Sequence, residues 1–344
     1  MRRLALALAL SLAAGAAVAR PLVVGFYLPW DEASRASVIA HAAALDVLAP
    51  MSGALDSPAG TVRWQPDPAL AAARAVSRGK AKVFPIVSNA HDNVWDAPSA
   101  DAALTDPKAG DAFIAALVAR ATAQDYGGYV LDFETLGPRA TAAYAPFLAR
   151  LRDALRPLGK ELWVTASLAA DPALIRDLSA ATDAVVLMAY DQCWASGTPG
   201  PIAGQDWLET NLAARIADPA RYVVALGAYG YDWADGERAQ VVSAPAAAAL
   251  AKLRGQAVAR TAPDANPHFA YQGPQGETHA VWYLDAAAFK AQRAAVEARH
   301  ARGVAIWRLG LEDPAIWSPP QPKAKVGPPP TAPRSPCLAL PPPH

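Results

Sequence analysis

The sequence predicts an α/β fold, a (β/α)8 barrel with a small α+β insertion between strands 7 and 8. Three observations lead there. Eight short apolar runs recur along the chain, alanine-rich stretches of helical length separate most of them, and polar and aromatic residues gather at the C-terminal end of run after run. Strands alternating with helices argue for a parallel sheet with helical crossovers, and eight such units are the number that closes a barrel. A doubly wound open sheet is the competing topology. No glycine-rich phosphate-binding turn follows any run, which weakens its nucleotide-binding version.

The elements follow in order. Residues 1–19 read as a secretory signal peptide rather than as part of the fold. Arg2 and Arg3 open it, residues 4–12 are apolar apart from Ser11, and Ala17-Val18-Ala19 is a small-residue cleavage site. Its apolar core is too short to span a bilayer, and no later stretch reaches that length without charge or proline. A secreted or periplasmic location is expected, with the cut after Ala19. The barrel is expected over residues 20–317. Its strands are expected at 22–28, 45–49, 83–87, 128–134, 162–168, 184–190, 222–229 and 304–307. Helices are expected at 34–44, 68–77, 111–124, 141–155, 173–180 and 207–217. The long gap at 234–302 holds a helix at 245–254, β-like runs around 269–271 and 279–283, and a second helix at 285–302, which together form the insertion. Residues 318–344 are proline-rich and read as a disordered tail.

Composition excludes some functions. Lysine and arginine number 31, and so do aspartate and glutamate, so no basic field collects nucleic acid or anionic lipid. Ten tryptophans and ten tyrosines can fill the core or stack on sugar rings. Cys193 and Cys337 are the only cysteines, and export would permit a disulfide tying the tail to the barrel. No Cys/His cluster has metal-ligand spacing.

Barrel enzymes carry their reactive groups at the C-terminal ends of the strands. Here the first run ends in Tyr27-Leu28-Pro29-Trp30-Asp31, and the third in Ser88-Asn89 with His91 and Asp92 behind. The fourth ends in Asp132-Phe133-Glu134, and the sixth in Met188-Ala189-Tyr190-Asp191-Gln192. The seventh ends in Tyr229-Gly230-Tyr231-Asp232-Trp233, and the eighth carries Trp307 and Arg308. Asp132 and Glu134 are the most informative pair. At i and i+2 of a strand they project from one face, with Tyr129, Leu131 and Phe133 on the other. Two close like charges raise the pKa of one member, and a carboxylic acid kept protonated is what a glycosidic oxygen needs from a general acid. The competing reading is a strand end bearing two solvated acids.

The segments GGYVLDFE (127–134), LMAYDQ (187–192), GAYGYDW (227–233) and GVAIWRLG (303–310) resemble glycoside hydrolase family 18, in the family's order and on the expected strands. The resemblance covers roughly residues 22–317. The opening segment 25–50 is more narrowly similar to bacterial modules of that family fused to polysaccharide deacetylase and glycosyltransferase domains, and GYDW to its spore-peptidoglycan hydrolases. The resemblance implies an exported glycosidase acting on β-linked N-acetylglucosamine glycans, including peptidoglycan. It would work by a substrate-assisted retaining mechanism, without metal or organic cofactor. Glu134 would be the acid and later the base, Asp132 would orient the substrate acetamide, Tyr190 would hold its oxygen, and Asp191 would bond substrate or tune its neighbours. Trp307 would be the floor beneath the sugar. Tyr27, Trp30, Asn89, Met188, Tyr229 and Trp233 are further substrate-binding candidates, with Trp95, Trp194 and Arg308 on the same rim. Trp64, Trp163, Trp207 and Trp317 read as packing residues. A monomer is expected, with neither nucleic acid nor membrane span.

One departure stands out. The family usually has Asp or Asn four residues before the acid, and here that position is Val130. Gly127 also stands where many members have Asp. The alternative function is therefore a non-catalytic or weakly active, lectin-like barrel of the cell envelope, which Val130 favours and Glu134 opposes.

Overall fold

The structure, a computed structural model, describes residues 20–318 apart from 92–93, 217 and 262–264. The expected signal peptide, the tail from residue 319 onward and the Cys193–Cys337 pairing lie outside the described residues. Eight parallel strands form the barrel: β1 Leu22–Tyr27, β2 Val47–Leu55, β3 Ile86–Ser88, β4 Gly128–Asp132, β5 Glu161–Ser167, β6 Ala184–Ala189, β7 Tyr222–Gly227 and β8 Gly303–Trp307. Each pairs with its sequence neighbour, and β1 pairs with both β2 and β8, so the sheet closes on itself. Around it run α1 Glu32–His41, α2 Leu70–Val76, α3 Ala97–Thr105, α4 Pro107–Ala123, α5 Pro138–Leu155, α6 Pro172–Ala181, α7 Gln205–Arg215, α8 Ala244–Leu253 and α9 Ala286–Glu297. Asp31, Asp96, Asp106, Asp171, Ser243 and Asp285 cap α1, α3, α4, α6, α8 and α9 by accepting from first-turn N–H groups. Each cap satisfies a donor that the helix leaves open. Among the described residues no helix is long and apolar enough to cross a membrane.

The two-residue period of the strands sorts their side chains into two cores. Tyr129, Leu131, Val164 and Leu187 join the layer between sheet and helices. Val24, Phe26, Val130, Val186 and Ala305 fill the barrel lumen. At the lumen floor Trp163 packs on Phe84 with ring centroids 4.6 Å apart. Arg302 lies over Trp163 at 5.2 Å and reaches Glu161 at 2.5 Å. Glu161 also accepts the Trp163 indole N–H at 2.9 Å. The bottom of the barrel is thus plugged by packing and a charged lock, and the chemistry is left to the top. Gly128 lets β4 lie close to β5, since a Cβ there would sit 2.1 Å from the Glu161 carbonyl oxygen.

Several expected bounds shift. The second strand runs on to Leu55 and turns back into the hairpin strand Val62–Trp64. The third is split into Lys82–Val83 and Ile86–Ser88, because Pro85 between them has no N–H to give the ladder. The fourth stops at Asp132, two residues short of Glu134. Two helices, α3 and α4, fill the space where one was expected, each opened by a capping Asp and an early Pro. The insertion begins at Gly230, earlier than residue 234. Gly230–Ala234 leaves the barrel and becomes a strand of a separate antiparallel sheet with Gln240–Val242, Thr278–Tyr283, Pro267–Gln272 and Ala259–Arg260. α8 packs on this sheet through Ala247 and Ala251.

Candidate functional site

The strand ends converge on a cavity of about 250 Å³ at the C-terminal mouth. β4 brings Asp132 to it directly. Glu134 arrives beyond the strand, where no ladder partner remains for its backbone. Asn89, just after β3, replaces that partner. Its amide oxygen accepts the Glu134 N–H at 2.9 Å, and its Nδ2 donates to the Glu134 carbonyl at 3.0 Å. Thr135 then adopts a left-handed φ of 58° and turns the chain toward α5. Asp132 and Glu134 consequently share the cavity wall, while Phe133 between them packs outward against Phe113 and Tyr144.

Around the two carboxyls stand aromatic rings. Trp307, at the end of β8 and joined to Arg308 by a cis peptide bond, stacks on Tyr190 at 6.0 Å and 14°. Phe26 meets it edge-on at 5.9 Å. Trp95, Trp194 and Tyr231 also line the wall, and Arg238 from the insertion is its one cation among the described residues. Asp191 sits at φ 57°, a conformation that Asp tolerates better than most residues. Its Oδ1 accepts the Tyr229 hydroxyl in a short hydrogen bond and the Tyr231 hydroxyl at 3.0 Å. Tyr190, Tyr229 and Tyr231 then pack edge to face in sequence.

The electrostatics follow from burial. The Glu134 carboxyl is pushed up to about 8 by burial first, then by the charges of Asp132 and Asp191. Burial also raises Asp132, against the pull of a 2.6 Å hydrogen bond from Thr165. Asp191 is raised by burial, opposed by its two tyrosine donors and the charge of Arg238. Burial, with Asp132 and Asp191 nearby, raises the Tyr190 hydroxyl well above its usual range, so it remains a proton donor. The arrangement therefore supplies a neutral acid, a neighbouring buried carboxyl, a phenol and a flat aromatic surface in one cavity. Among the described residues no group of three or more His, Cys, Asp or Glu is placed to hold a metal ion.

Of the residues singled out in the sequence, Asp132, Glu134, Met188, Tyr190, Asp191 and Trp307 meet in this cavity, together with the rim candidates Trp95 and Trp194. Others do not. Tyr27 is fully buried in the layer beneath the helices, where its hydroxyl donates to Asp67 at 2.5 Å; strand alternation turns Phe26, not Tyr27, into the lumen. Asn89 is fully buried and reaches backbone, not the cavity. Tyr229 is buried behind Tyr190 and meets the site through Asp191. Trp233 is buried beside a different groove of about 580 Å³ between the β6–α7 loop and the insertion. Trp30 is exposed on an outer cavity of about 330 Å³ that shares only Met51 with the mouth. Arg308 reaches Asp31 at 3.4 Å. Tyr231, at the end of the seventh run, also lines the cavity, and Thr165 and Arg238 join it without being expected from the sequence. Thr165 had a signal, a polar residue two positions after Trp163 in an apolar strand, whereas nothing local marks Arg238.

Glu134 also borders a second cavity of about 390 Å³, between the loops after β4 and β5. Leu136, Tyr144, Leu174 and Leu178 line it, and it shares Thr165, Met188, Tyr190 and Asp191 with the mouth.

Comparison with known proteins places this geometry. The chain is 24% identical over 318 residues to the uncharacterized glycosylase YvbX of Bacillus subtilis, an alignment covering 88% of this chain and 91% of that one. It is 29% identical over 208 residues to the cortical fragment-lytic enzyme of the same organism, covering 54% of this chain and 47% of that protein, so it matches only about half of that relative's length. The crystal structure of a chitinase from Chromobacterium violaceum superposes with a TM-score of 0.80 at 27% identity, over 87% of this chain and 97% of that one. The model of the glycosyl hydrolases family 18 matches residues 26–312. The chain belongs to glycosyl hydrolase family 18, and is a glycoside hydrolase.

Proposed function

We propose that this protein is an exported glycosidase that cuts β-linked N-acetylglucosamine glycans by a substrate-assisted retaining mechanism. The observation that carries this reading is Glu134, a carboxyl whose pKa is pushed up to about 8, lining one cavity with Asp132 and the Trp307–Tyr190 stack. Glu134 donates its proton to the glycosidic oxygen as the substrate's own acetamide oxygen closes on the anomeric carbon. The C–O bond breaks, the leaving sugar departs as an alcohol, and a cyclic oxazolinium-type intermediate remains. Ionised Asp132 faces its positive charge and orients the acetamide, and Tyr190 donates to the acetamide oxygen before attack. Water then adds to the anomeric carbon and gives its proton to the Glu134 carboxylate, which restores the acid. Trp307 supplies the flat surface under the reacting ring. The chitinase and cortex-lytic relatives favour chitin-type or peptidoglycan chains. The signal-peptide pattern at 1–19 favours the periplasm or the medium as the place of action.

Because the nucleophile belongs to the substrate, an aryl N-acetylchitobioside is expected to release its phenol and the matching aryl cellobioside to release none above background. Comparable rates on both would remove the acetamide from the mechanism. Binding of acetylated chitooligosaccharides with no release from the aryl substrate would instead favour the lectin-like reading, which Val130 supports. The rate should also vary with pH as a bell. Glu134 is active protonated, so kcat/KM is expected to fall as pH rises through about 8. A flat profile from pH 6 to about 10 would exclude Glu134 as the acid.

A further inference from the structure

The carboxyl of Asp132 has a single hydrogen-bond donor among the described residues, and it comes from a neighbouring strand. Thr165 on β5 points into the lumen and donates to Asp132 Oδ1 at 2.6 Å. Directly below Asp132 on the same face of β4 is Val130, fully buried among apolar lumen residues and unable to donate. On the other side, Ser88 of β3 is the register partner of Asp132, yet among the described residues the hydrogen bond to this carboxyl comes from Thr165. Thr165 also borders both cavities that meet at Glu134. The last torsion of an Asp side chain has only a broad, roughly two-fold preference, so a hydrogen bond decides which way its oxygens point.

We propose that Thr165 is the positioning residue of the site: its hydroxyl ties down one oxygen of Asp132 so that the other faces the reacting sugar. The proposal rests on the role given to Asp132 above. A neutral donor suits that role better than a second acid would here. It fixes the carboxyl without adding a negative charge to a cavity that already holds Asp132, Glu134 and Asp191, and the bond favours the ionised form of Asp132. The groups around this carboxyl are Glu134 just beyond β4, Tyr190 and Asp191 after β6, Tyr144 on α5, and Arg238 of the insertion, whose charge acts on Asp191.

Replacing Thr165 by Val keeps the shape and removes the donor. Without the bond Asp132 retains its proton to higher pH, so the acid limb of the kcat/KM profile moves up. The alkaline limb belongs to Glu134 beside an already ionised Asp132, so it stays in place and the bell narrows from its acid side. The test is the full pH profile of purified wild type, Thr165→Val, Thr165→Ser and Glu134→Gln on an aryl N-acetylchitobioside. Thr165→Val is expected to lose kcat by about tenfold or more, the effect of one hydrogen bond to a charged group, with KM changed by less than about threefold. Thr165→Ser is expected to restore both the rate and the acid limb. Wild-type kcat and acid limb in Thr165→Val, beside an inactive Glu134→Gln, would sink Thr165 alone. Equal losses in the Ser variant, which keeps the hydroxyl, and the Val variant would show that the donor does not carry the effect and also overturn the proposal. Turnover by Glu134→Gln would sink the underlying reading and this one with it.

Discussion

Glu134→Gln is expected to lower kcat on an N-acetylated chitooligosaccharide by about a thousandfold or more, with binding of the same ligand almost unchanged. General acid catalysis is worth roughly 10²–10⁴ in rate, and here one carboxyl serves in both steps. The amide keeps the shape of the side chain and the Asn89 clamp on its backbone, so geometry is not at stake. Isothermal titration with the intact oligosaccharide and a product assay separate the two effects. Residual turnover within about tenfold of wild type would remove Glu134 from the acid role. A second readout follows from linkage. The Glu134 pKa is raised from 4.5 to about 8 in the folded protein. Between those values the unfolded chain releases a proton that the native state keeps, so stability is lost as pH rises. Below pH ~4.5 both states hold the proton and the effect vanishes. The Gln variant is therefore expected to unfold at a higher temperature than wild type at pH 8, with the gap closing toward pH 4. The same burial that prepares the acid destabilises the fold that holds it.

Asp191→Ala is expected to cost about a hundredfold in kcat and several degrees in thermal unfolding. Asp191 is the acceptor for two buried phenols, Tyr229 and Tyr231. Without it both hydroxyls lose a partner, at about 1–3 kcal/mol each. Alanine must also hold a φ of 57°, which costs it about 1–2 kcal/mol. Tyr190 packs edge-on against Tyr229, so disorder in the tyrosine stack reaches the phenol beside the acid. Asp191→Asn separates the contributions. Its amide oxygen still accepts and Asn tolerates the left-handed region, so stability should largely return. The negative charge that helps raise Glu134 is gone, so the alkaline limb should stay displaced to lower pH. An Asn variant with the wild-type limb would show that the Asp191 charge does not act on Glu134.

The barrel was legible because its strands are apolar runs bounded by capping residues, a local property. The lumen and helix-facing sides of β4 also follow from its two-residue period, which places Tyr129, Leu131 and Phe133 outside and Asp132 at the mouth. The same rule separates neighbouring residues of one motif. Tyr27 is adjacent to Phe26, and only one of the two can face the lumen. The end of the seventh run predicts one continuous rim, yet Gly230–Ala234 leaves the barrel to join the insertion sheet. That carries Trp233 to a separate groove while Tyr231 remains at the mouth. Asn89 looked like a sugar contact because it follows a strand end, but its amide is spent on the Glu134 backbone.

By itself, then, the sequence determined the strand–helix order, the family, and the carboxyl pair with its tyrosine and tryptophan. These rest on contiguous residues whose spacing fixes which way they point. Only the tertiary structure decided which groups set the state of that pair. Thr165 from β5, Asp191 from the loop after β6, Arg238 from the insertion and the Asn89 clamp from β3 lie between 33 and 57 positions from the residues they act on. Closing the barrel brings them within hydrogen-bond or Coulomb range and removes the water that would screen them. Burial and through-space charge, which have no signature in local spacing, turn an ordinary glutamate into an acid that keeps its proton to about pH 8.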